Sequence, residues 1–529
     1  RKTGSIHLLA ISGLHIGLIA GLAYFLMLKT AIMLSVVSPQ KIAALSAVVV
    51  AVFYSALAGF SLPTQRALIM LIIAMMAITL QRNISIRNTL ALAMSAVLII
   101  DPLAVLSAGF WLSFLAVTLI AFSMAGRLGK TGYWLAVTKV HCVTALGLSP
   151  LLLFYFQQVS LISPLANFIA VPVISLLVVP LCFLAVLLML FSDSLAQPVF
   201  LLIDQIIQLL WTVLSAMADF PFAAVTTTSK PFYLVPLAVL GLFILLAPRG
   251  IPARWLGGAM LLPLLFIKPD KLNSGDSRLT LLDVGQGLAA VIETTNHNLI
   301  FDTGAKYSEQ YNMGRSVVIP YLKHRGIQKI DVLLISHADN DHIGGAESVL
   351  QLATVDNIIT SVPALLEDYQ PLACQRGQSW VWDEVIFEIL SPEPASLNGE
   401  NNNSCVLKIT AKHKSILLTG DIEEEAETWL LENETDKLPS EVLIAPHHGS
   451  KTSSSLGFLQ QVKPSMVLIP AGYKNRFSFP HQQVLERYQM LDMAWMNTAD
   501  KGAITVELKN KQLNISSMRE ENSYYWNIK

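Results

Sequence analysis

From Ile6 to Ile267 nearly every stretch of the chain is apolar, and that run constrains the fold more than any motif does. A bilayer-crossing helix needs about 20 apolar residues. The run divides, at short polar breaks, into segments 6–28, 42–59, 66–80, 89–105, 108–124, 133–155, 165–191, 195–217, 232–247 and 251–267. About ten spans are therefore expected. Over all 529 residues 53% are hydrophobic and 14% charged, against about 45–50% and 25% in soluble proteins, which points to a membrane protein. From Asn273 onward the composition is that of an ordinary soluble domain. The boundary falls near Lys268 to Gly275, giving a polytopic α-helical membrane domain over 1–270 and a soluble domain over 273–529. A net charge of −1 offers no overall attraction for nucleic acid, so any such binding has to come from local basic patches.

Basic residues in short loops mark the cytoplasmic side. Arg82 with Arg87, Arg127 with Lys130, and Arg249 with Arg254 mark three loops, whereas QQVS and TTTSK carry little positive charge. With ten spans the marked loops share one side and the last span runs outward, so the soluble domain is expected on the periplasmic or extracellular face of the inner (plasma) membrane. The chain opens RKTGSIHLL, without an initiator methionine or a signal-peptide cleavage pattern, and an N-terminal portion is expected to precede it. No CxxC pair is present: Cys142 and Cys182 lie in apolar segments, Cys374 and Cys405 in the soluble part. The latter two are expected as buried free thiols, or as a disulfide if that domain faces an oxidising compartment.

Several polar groups interrupt the apolar runs: His7 and His15 in SIHLLAISGLHIGL, Arg66 in SLPTQRALIM, Asp101 before Pro102, and Asn167 in PLANFIAVP. An ionisable group at membrane depth is costly and faces a protein interior or an aqueous path. Arg66 and Asp101, near span ends, have the alternative of reaching the interface. Glycines and prolines in GLHIGL and NFIAVPVISLLVVP permit close helix contact or broken helices.

In the soluble part, RLTLLDVG, AAVIETT, NLIFDTG, DVLLISH, SCVLKIT, SILLTGD, EVLIAP, SMVLIPAG and AITVELK read as strands, with helices at GGAESVLQLA, EEEAETWLLE, SSLGFLQQV and HQQVLERYQML. Mixed strands with helices packed outside indicate a layered α/β sandwich. The loop SHADNDHIGG places His337, Asp339, Asp341 and His342 directly after a strand. Imidazoles and carboxylates at that density repel or stay unsatisfied without a cation. SILLTGD ends on Asp421, and EVLIAP leads into His447 and His448. Each group stands where a strand gives way to a loop, so one sheet edge can gather them around two divalent ions. Two such ions, about 4 Å apart, activate water and stabilise a phosphoryl transition state. Asp421 is suited to bridge them. Asp341, His342 and His447 are expected to hold one ion, and His337 with Asp339 the other; Asp341 and Asp421 carry the catalytic role. His448, Ser450 and Lys451 are candidate phosphate contacts. The proportion of carboxylate makes Mn²⁺ as fitting as Zn²⁺. Asp283 and Asp302 are expected to brace strands and turns.

HLLAISGLHIGL, GFSLPTQRALIM, SAGFWLSFLAV and SPLLLFYFQQVSLISPLANFIAVP resemble the competence membrane domain of the ComEC family. LLDVGQG, SHADNDHIGG, LLTGD and PHHGSKTSSS, in that order, resemble the same family's metallo-β-lactamase-like domain. That family's loop usually reads HxHxDH, from which Asp339 departs. The family's further histidine has no counterpart except His413, in the hairpin AKHK. Members also carry an N-terminal region with a small β-barrel domain, which is not among these 529 residues. The resemblance implies an αββα sandwich, passage of single-stranded DNA through the membrane domain, hydrolysis of the strand that is not imported, duplex DNA arriving at the outer face, and other DNA-uptake proteins as partners beside the membrane lipids. A DNA conduit needs basic groups and rings for the bases, and Arg66, His7, His15, Asn167, Phe110 and Trp111 are the channel candidates. Two other readings stay open: a transporter whose hydrolase-like domain is inactive, and a membrane-anchored phosphodiesterase acting on lipid or cell-wall phosphoesters.

Overall fold

A computed structural model describes residues 2–5, 7, 13–34, 38–82, 84–124, 132–228, 231, 233–247, 250, 252–266, 271–393, 397–509 and 512–521. It separates into two compact units, Arg1–Lys268 and Pro269–Lys529. Arg127, Lys130 and Arg249, three of the basic loop residues, lie outside the described residues.

The first unit is helical. Among the described residues six helices are long and apolar enough to cross a bilayer: Gly13–Met33, Pro39–Leu57, Leu62–Thr79, Val137–Phe156, Ser163–Met189 and Asp193–Ala218. Four shorter apolar helices follow the remaining expected runs: Ile86–Ile100, Ala108–Phe122, Leu234–Leu246 and Trp255–Leu264. The last is broken into Trp255–Ala259 and Leu262–Phe266. It folds back on Leu234–Leu246, with Arg254 donating to the Leu245 carbonyl and Gly257 so close that a Cβ there would stand 2.3 Å from the Gly241 carbonyl oxygen.

The packing is inside-out by soluble standards. Helix Pro39–Leu57 buries Ala43, Ala44, Ala47 and Ala51, while Leu45, Val49 and Phe53 are 59–66% exposed. Small residues at the seam and large ones outside suit lipid, where close backbone approach rather than water exclusion drives association. Gly13 against Ala67 and Gly147 against Leu119 repeat the device. Pro172 and Pro180 do not break their helix. A π-helical segment, Val173–Val178, absorbs the missing N–H donors. Gln158–Ser160 and Ala224–Thr226 pair as a two-stranded antiparallel ribbon, so the loops that begin at QQVS and end at TTTSK meet, as an even number of intervening spans requires.

The second unit is an αββα sandwich. One sheet has eight strands, in the order Gln512–Ser517, Ile504–Lys509, Ser277–Leu281, Ala290–Glu293, Asn298–Phe301, Lys329–Ile335, Thr354–Thr360, Leu372–Ala373. The other has seven: Ala494–Asn497, Met466–Ile469, Val442–Ile444, Lys414–Leu418, Val406–Ala411, Val385–Ser391, Ser379–Trp382. Leu279, Leu281, Val332 and Leu334 from the first meet Phe387, Leu407, Ile416 and Leu468 from the second in one buried cluster. Each such side chain contributes about 1.5–3 kcal/mol when fully buried. The opposite faces are covered by helices Ile319–Arg325 and Ala346–Leu352 on one side, and Glu424–Asn433, Leu456–Val462 and Gln482–Met490 on the other. Cys374 and Cys405, both buried, are joined across the two sheets with Cα atoms 6.2 Å apart.

Candidate metal centre

Parallel pairing sets the site. Lys414–Leu418 and Val442–Ile444 run parallel in register Ile416 to Val442, so TGD and PHHG leave the same edge of one sheet. Lys329–Ile335, in the facing sheet, delivers SHADNDH. Ligand-binding groups gather where parallel strands end at their carboxyl ends, and here three loops converge. Asp302, His447 and His448 adopt left-handed φ angles of 59°, 48° and 55°, a conformation costly for residues other than glycine and one that clusters at functional sites.

Asp421 is the centre of the cluster. Its Oδ1 lies 3.1 Å from His342 Nε2, and its Oδ2 lies 3.3 Å from His448 Nε2, 3.9 Å from His447 Nε2 and 4.0 Å from His337 Nε2. His448 Nε2 also faces Asp341 Oδ2 at 3.3 Å and His342 Nε2 at 3.2 Å. Asp339 reaches His337 Nε2 at 3.6 Å from the more exposed side. Among the described residues two groups have donor atoms close enough to share a cation: His337, His342 and Asp421, and Asp341, His342 and His448.

The tautomers make the case for a cation. His448 Nδ1 donates to the Pro470 carbonyl, 2.8 Å away, so Nε2 is the nitrogen it turns to the cluster. His342 Nδ1 is held by Asp302 Oδ2 at 2.7 Å, a carboxylate–histidine pairing of the kind that orients metal ligands. The two Nε2 atoms therefore face each other among ionised carboxylates. His337 Nε2, on a side chain 1% exposed, has no hydrogen-bond partner within 3.5 Å among the described residues. A buried nitrogen of that sort costs free energy unless something coordinates it. Burial alone would drive the proton off His342, but the charges of Asp421 and Asp302 outweigh it and hold the imidazolium well above its usual range. His448 is similarly desolvated, yet Asp421 and its hydrogen bonds raise it to about 9. Burial would raise Asp341, but the His448 hydrogen bond and the charges of His342 and His448 bring it down to about 2. The site demands positive charge, and this mixed nitrogen and oxygen donor set fits divalent metal.

The structure distributes the expected residues as follows. His337, Asp341, His342 and Asp421 converge. His448, expected as a phosphate contact, occupies the place beside Asp341 and His342 that was expected of His447. His447 stands at the mouth, its Nδ1 3.2 Å from Glu423 Oε1. The Ser450 hydroxyl is buried and bonded to Thr452, while Lys451 is exposed beside it. His413 sits in the hairpin between Val406–Ala411 and Lys414–Leu418, at the opposite end of that strand from Asp421. Asp302 braces more than a strand: it accepts from Ser336 N and Oγ at 2.7 and 2.6 Å and orients His342. Its place in FDTG, one residue beyond a buried strand, was the available signal. Asp283 caps its own turn through Gly285 and pairs with Arg519.

In the membrane unit, Arg66 is 7% exposed and, among the described residues, makes no hydrogen bond or ion pair. Gly109 leaves its guanidinium room, since a Cβ there would lie 2.9 Å from Nη2. His15 is buried, and Asn167 joins Ser5 and Ser163. His7 Nδ1 donates to the Gly4 carbonyl, 3.0 Å away. Phe110 is core, packed on Phe114, and Trp111 is spent on the Val105 carbonyl.

Residues 1–251 match the competence protein family, and residues 282–471 match the metallo-beta-lactamase superfamily. Competence protein ComA of Neisseria gonorrhoeae is 33% identical over 536 residues, covering 100% of this chain and 74% of ComA. The chain belongs to the competence protein family. Other competence family relatives include recombination protein 2 of Haemophilus influenzae, 31% identical over 99% of this chain and 71% of its own length, and ComE operon protein 3 of Bacillus subtilis, 28% identical over 97% and 69%. This member of the competence family is thus a multi-pass membrane protein with a metallo-β-lactamase-like hydrolase domain and a candidate His/Asp metal site.

Proposed function

We propose that the chain is an inner-membrane conduit for DNA uptake whose second unit is a metal-dependent nuclease that degrades the strand not imported. The observation that carries this reading is the convergence of His337, Asp341, His342, Asp421 and His448 at one sheet edge, in a family whose relatives are named for competence and recombination. Asp341, His342 and His448 would hold one divalent ion and His337 with Asp339 a second, Asp421 being shared; Mn²⁺ and Zn²⁺ both suit these donors. Such ions, when bound, supply Lewis acidity toward a phosphodiester and an activated water. The chain's own groups do the rest. Asp302, Pro470 and Glu423 fix the imidazoles, and Lys451 at the mouth offers its ammonium to a phosphate. In the membrane unit, the buried guanidinium of Arg66, without a partner among the described residues, is with His7, His15 and Asn167 a place for the strand's phosphates.

The hydrolase unit is read as facing the periplasm, where duplex DNA arrives and where other uptake proteins deliver it. Full-length protein in detergent micelles should cleave DNA with Mn²⁺ or Zn²⁺, and Asp341→Ala should abolish cleavage. Inert parent protein with both ions would leave only the transport reading. Arg66→Ala should retain cleavage while lowering DNA internalisation in a complemented deletion strain; normal import would remove Arg66 from the conduit.

A further inference from the structure

Around the metal cluster the surface carries aromatic rings that water should disfavour. Tyr307 and Tyr311 stack at 5.7 Å, 58% and 52% exposed. On the segment Gly472–Pro480, Tyr473 is 65% exposed and Phe477 46%. Phe477 stacks on Phe479 at 5.4 Å, and Phe479 lies 5.8 Å from the His447 ring and 6.4 Å from the His448 ring. The turn Gly285–Gly287 connects the two pairs. A Cβ at Gly285 would meet Tyr307 Oη at 3.7 Å, one at Gly472 would meet Gln286 N at 2.6 Å, and one at Gly287 would strike the Asp341 carbonyl at 2.4 Å. The rings thus border the loop that carries Asp341. Basic groups accompany them: Lys474 Nζ lies 5.3 Å from the Tyr473 ring and Arg476 Cζ 4.7 Å from the Phe477 ring. Among the described residues neither cation has an acidic partner.

We propose that these two aromatic pairs and Tyr473, with Lys474 and Arg476, are the platform on which the bases of an unpaired nucleic-acid strand stack while its backbone crosses the metal centre. This rests on reading the unit as a DNA phosphodiesterase. The chemistry is specific to an unpaired strand. Rings take the faces of bases, which a duplex hides, and the two cations take phosphates. A lipid or cell-wall phosphoester offers no such faces. Stacking of this kind acts on every base, so the platform selects for the presence of bases and not for their sequence.

The test uses full-length protein in detergent micelles with MnCl₂, a fluorescent oligothymidylate, the abasic oligomer of equal length, and methyl p-nitrophenyl phosphate. The parent is expected to favour the oligothymidylate over the abasic strand by about tenfold or more in KM. The Tyr473→Ala/Phe477→Ala double variant should lose that preference, and Phe477→Trp should keep it. Equal handling of the two strands by the parent, or an undiminished preference in the double variant, overturns the proposal. If the parent hydrolyses neither strand nor the small diester, the phosphodiesterase reading fails by itself. Fluorescence anisotropy of the bound oligothymidylate then decides the platform: binding weakened about tenfold in the double variant supports it, and unchanged binding overturns it.

Discussion

At the scale of single residues, the decisive distinction is between His447 and His448. Adjacent in sequence, they differ in what fixes the second ring nitrogen. The Pro470 carbonyl leaves His448 only Nε2 for the cluster, whereas His447 is 21% exposed and turned toward Glu423. Asp302 does for His342 what Pro470 does for His448. Removing such an orienting partner typically weakens metal binding by about 10–100-fold. Asp302→Asn is therefore expected to lower Mn²⁺ affinity by about that factor, because the amide can no longer accept from Nδ1 without surrendering its other bonds to Ser336. His448→Ala should lose more affinity than His447→Ala. Electron paramagnetic resonance of free against bound Mn²⁺ with the full chain measures both, and equal affinities for all four proteins would show that these histidines and Asp302 do not define the site.

At the scale of elements, the strands that carry the candidate ligands were legible because they are short apolar runs ending on, or immediately before, Asp or His, as in DVLLISH, SILLTGD and EVLIAP. The strands Thr354–Thr360 and Ser379–Trp382 were not. TVDNIIT mixes polar residues into an outer position of its sheet, and SWVW is too short to show a period. The difference between the two histidines was equally hidden, because it depends on the Pro470 carbonyl and Glu423, tertiary neighbours that the pattern PHHGS does not encode. Tertiary ties are hidden too. Asp383, in the turn between Ser379–Trp382 and Val385–Ser391, accepts from Thr294 Oγ1, Asn296 N and Asn296 Nδ2 at 2.7, 2.8 and 2.8 Å, pinning the edge of one sheet to a hairpin of the other while His297 stacks on Trp382. Burial pushes the Asp383 carboxyl up, but these hydrogen bonds outweigh it and hold it below the usual carboxylate range. With the folded value below the unfolded one, the stabilisation is complete above about pH 4 and is lost as the pH falls through the folded value. Asp383→Asn should lower the thermal midpoint of the second unit by about 2–4 °C at neutral pH. That gap should close on acidification. Tryptophan fluorescence during heating reads it, and a gap that persists unchanged at low pH would deny the carboxylate its role.

At the scale of the whole molecule, the question is which side of the membrane the hydrolase unit faces, and charge in the loops and chemistry in the core bear on it independently. The loop argument depends on an even or odd number of spans. It is sensitive to the final segment, which the structure folds into two five-residue helices against Leu234–Leu246. The cysteine pair does not depend on span counting. Cys374 N donates to the Thr360 carbonyl and Cys405 N to the Ser336 carbonyl, 2.8 and 2.9 Å away, so the bridge ties the ends of two strands from facing sheets beside the strand that leads to His337. Disulfides persist in the periplasm or outside the cell and are reduced in the cytosol. A hydrolase unit facing outward therefore keeps the Cys374–Cys405 bridge, and one facing inward carries two thiols. Cells quenched in acid, denatured with a first alkylating reagent, then reduced and treated with a second, should yield Cys374 and Cys405 peptides bearing the second label. Cys142 and Cys182, free in the membrane unit, should bear the first and serve as the internal control. First-reagent label on all four cysteines would place the hydrolase unit on the cytoplasmic side, and the proposal that it degrades a strand left outside would fail.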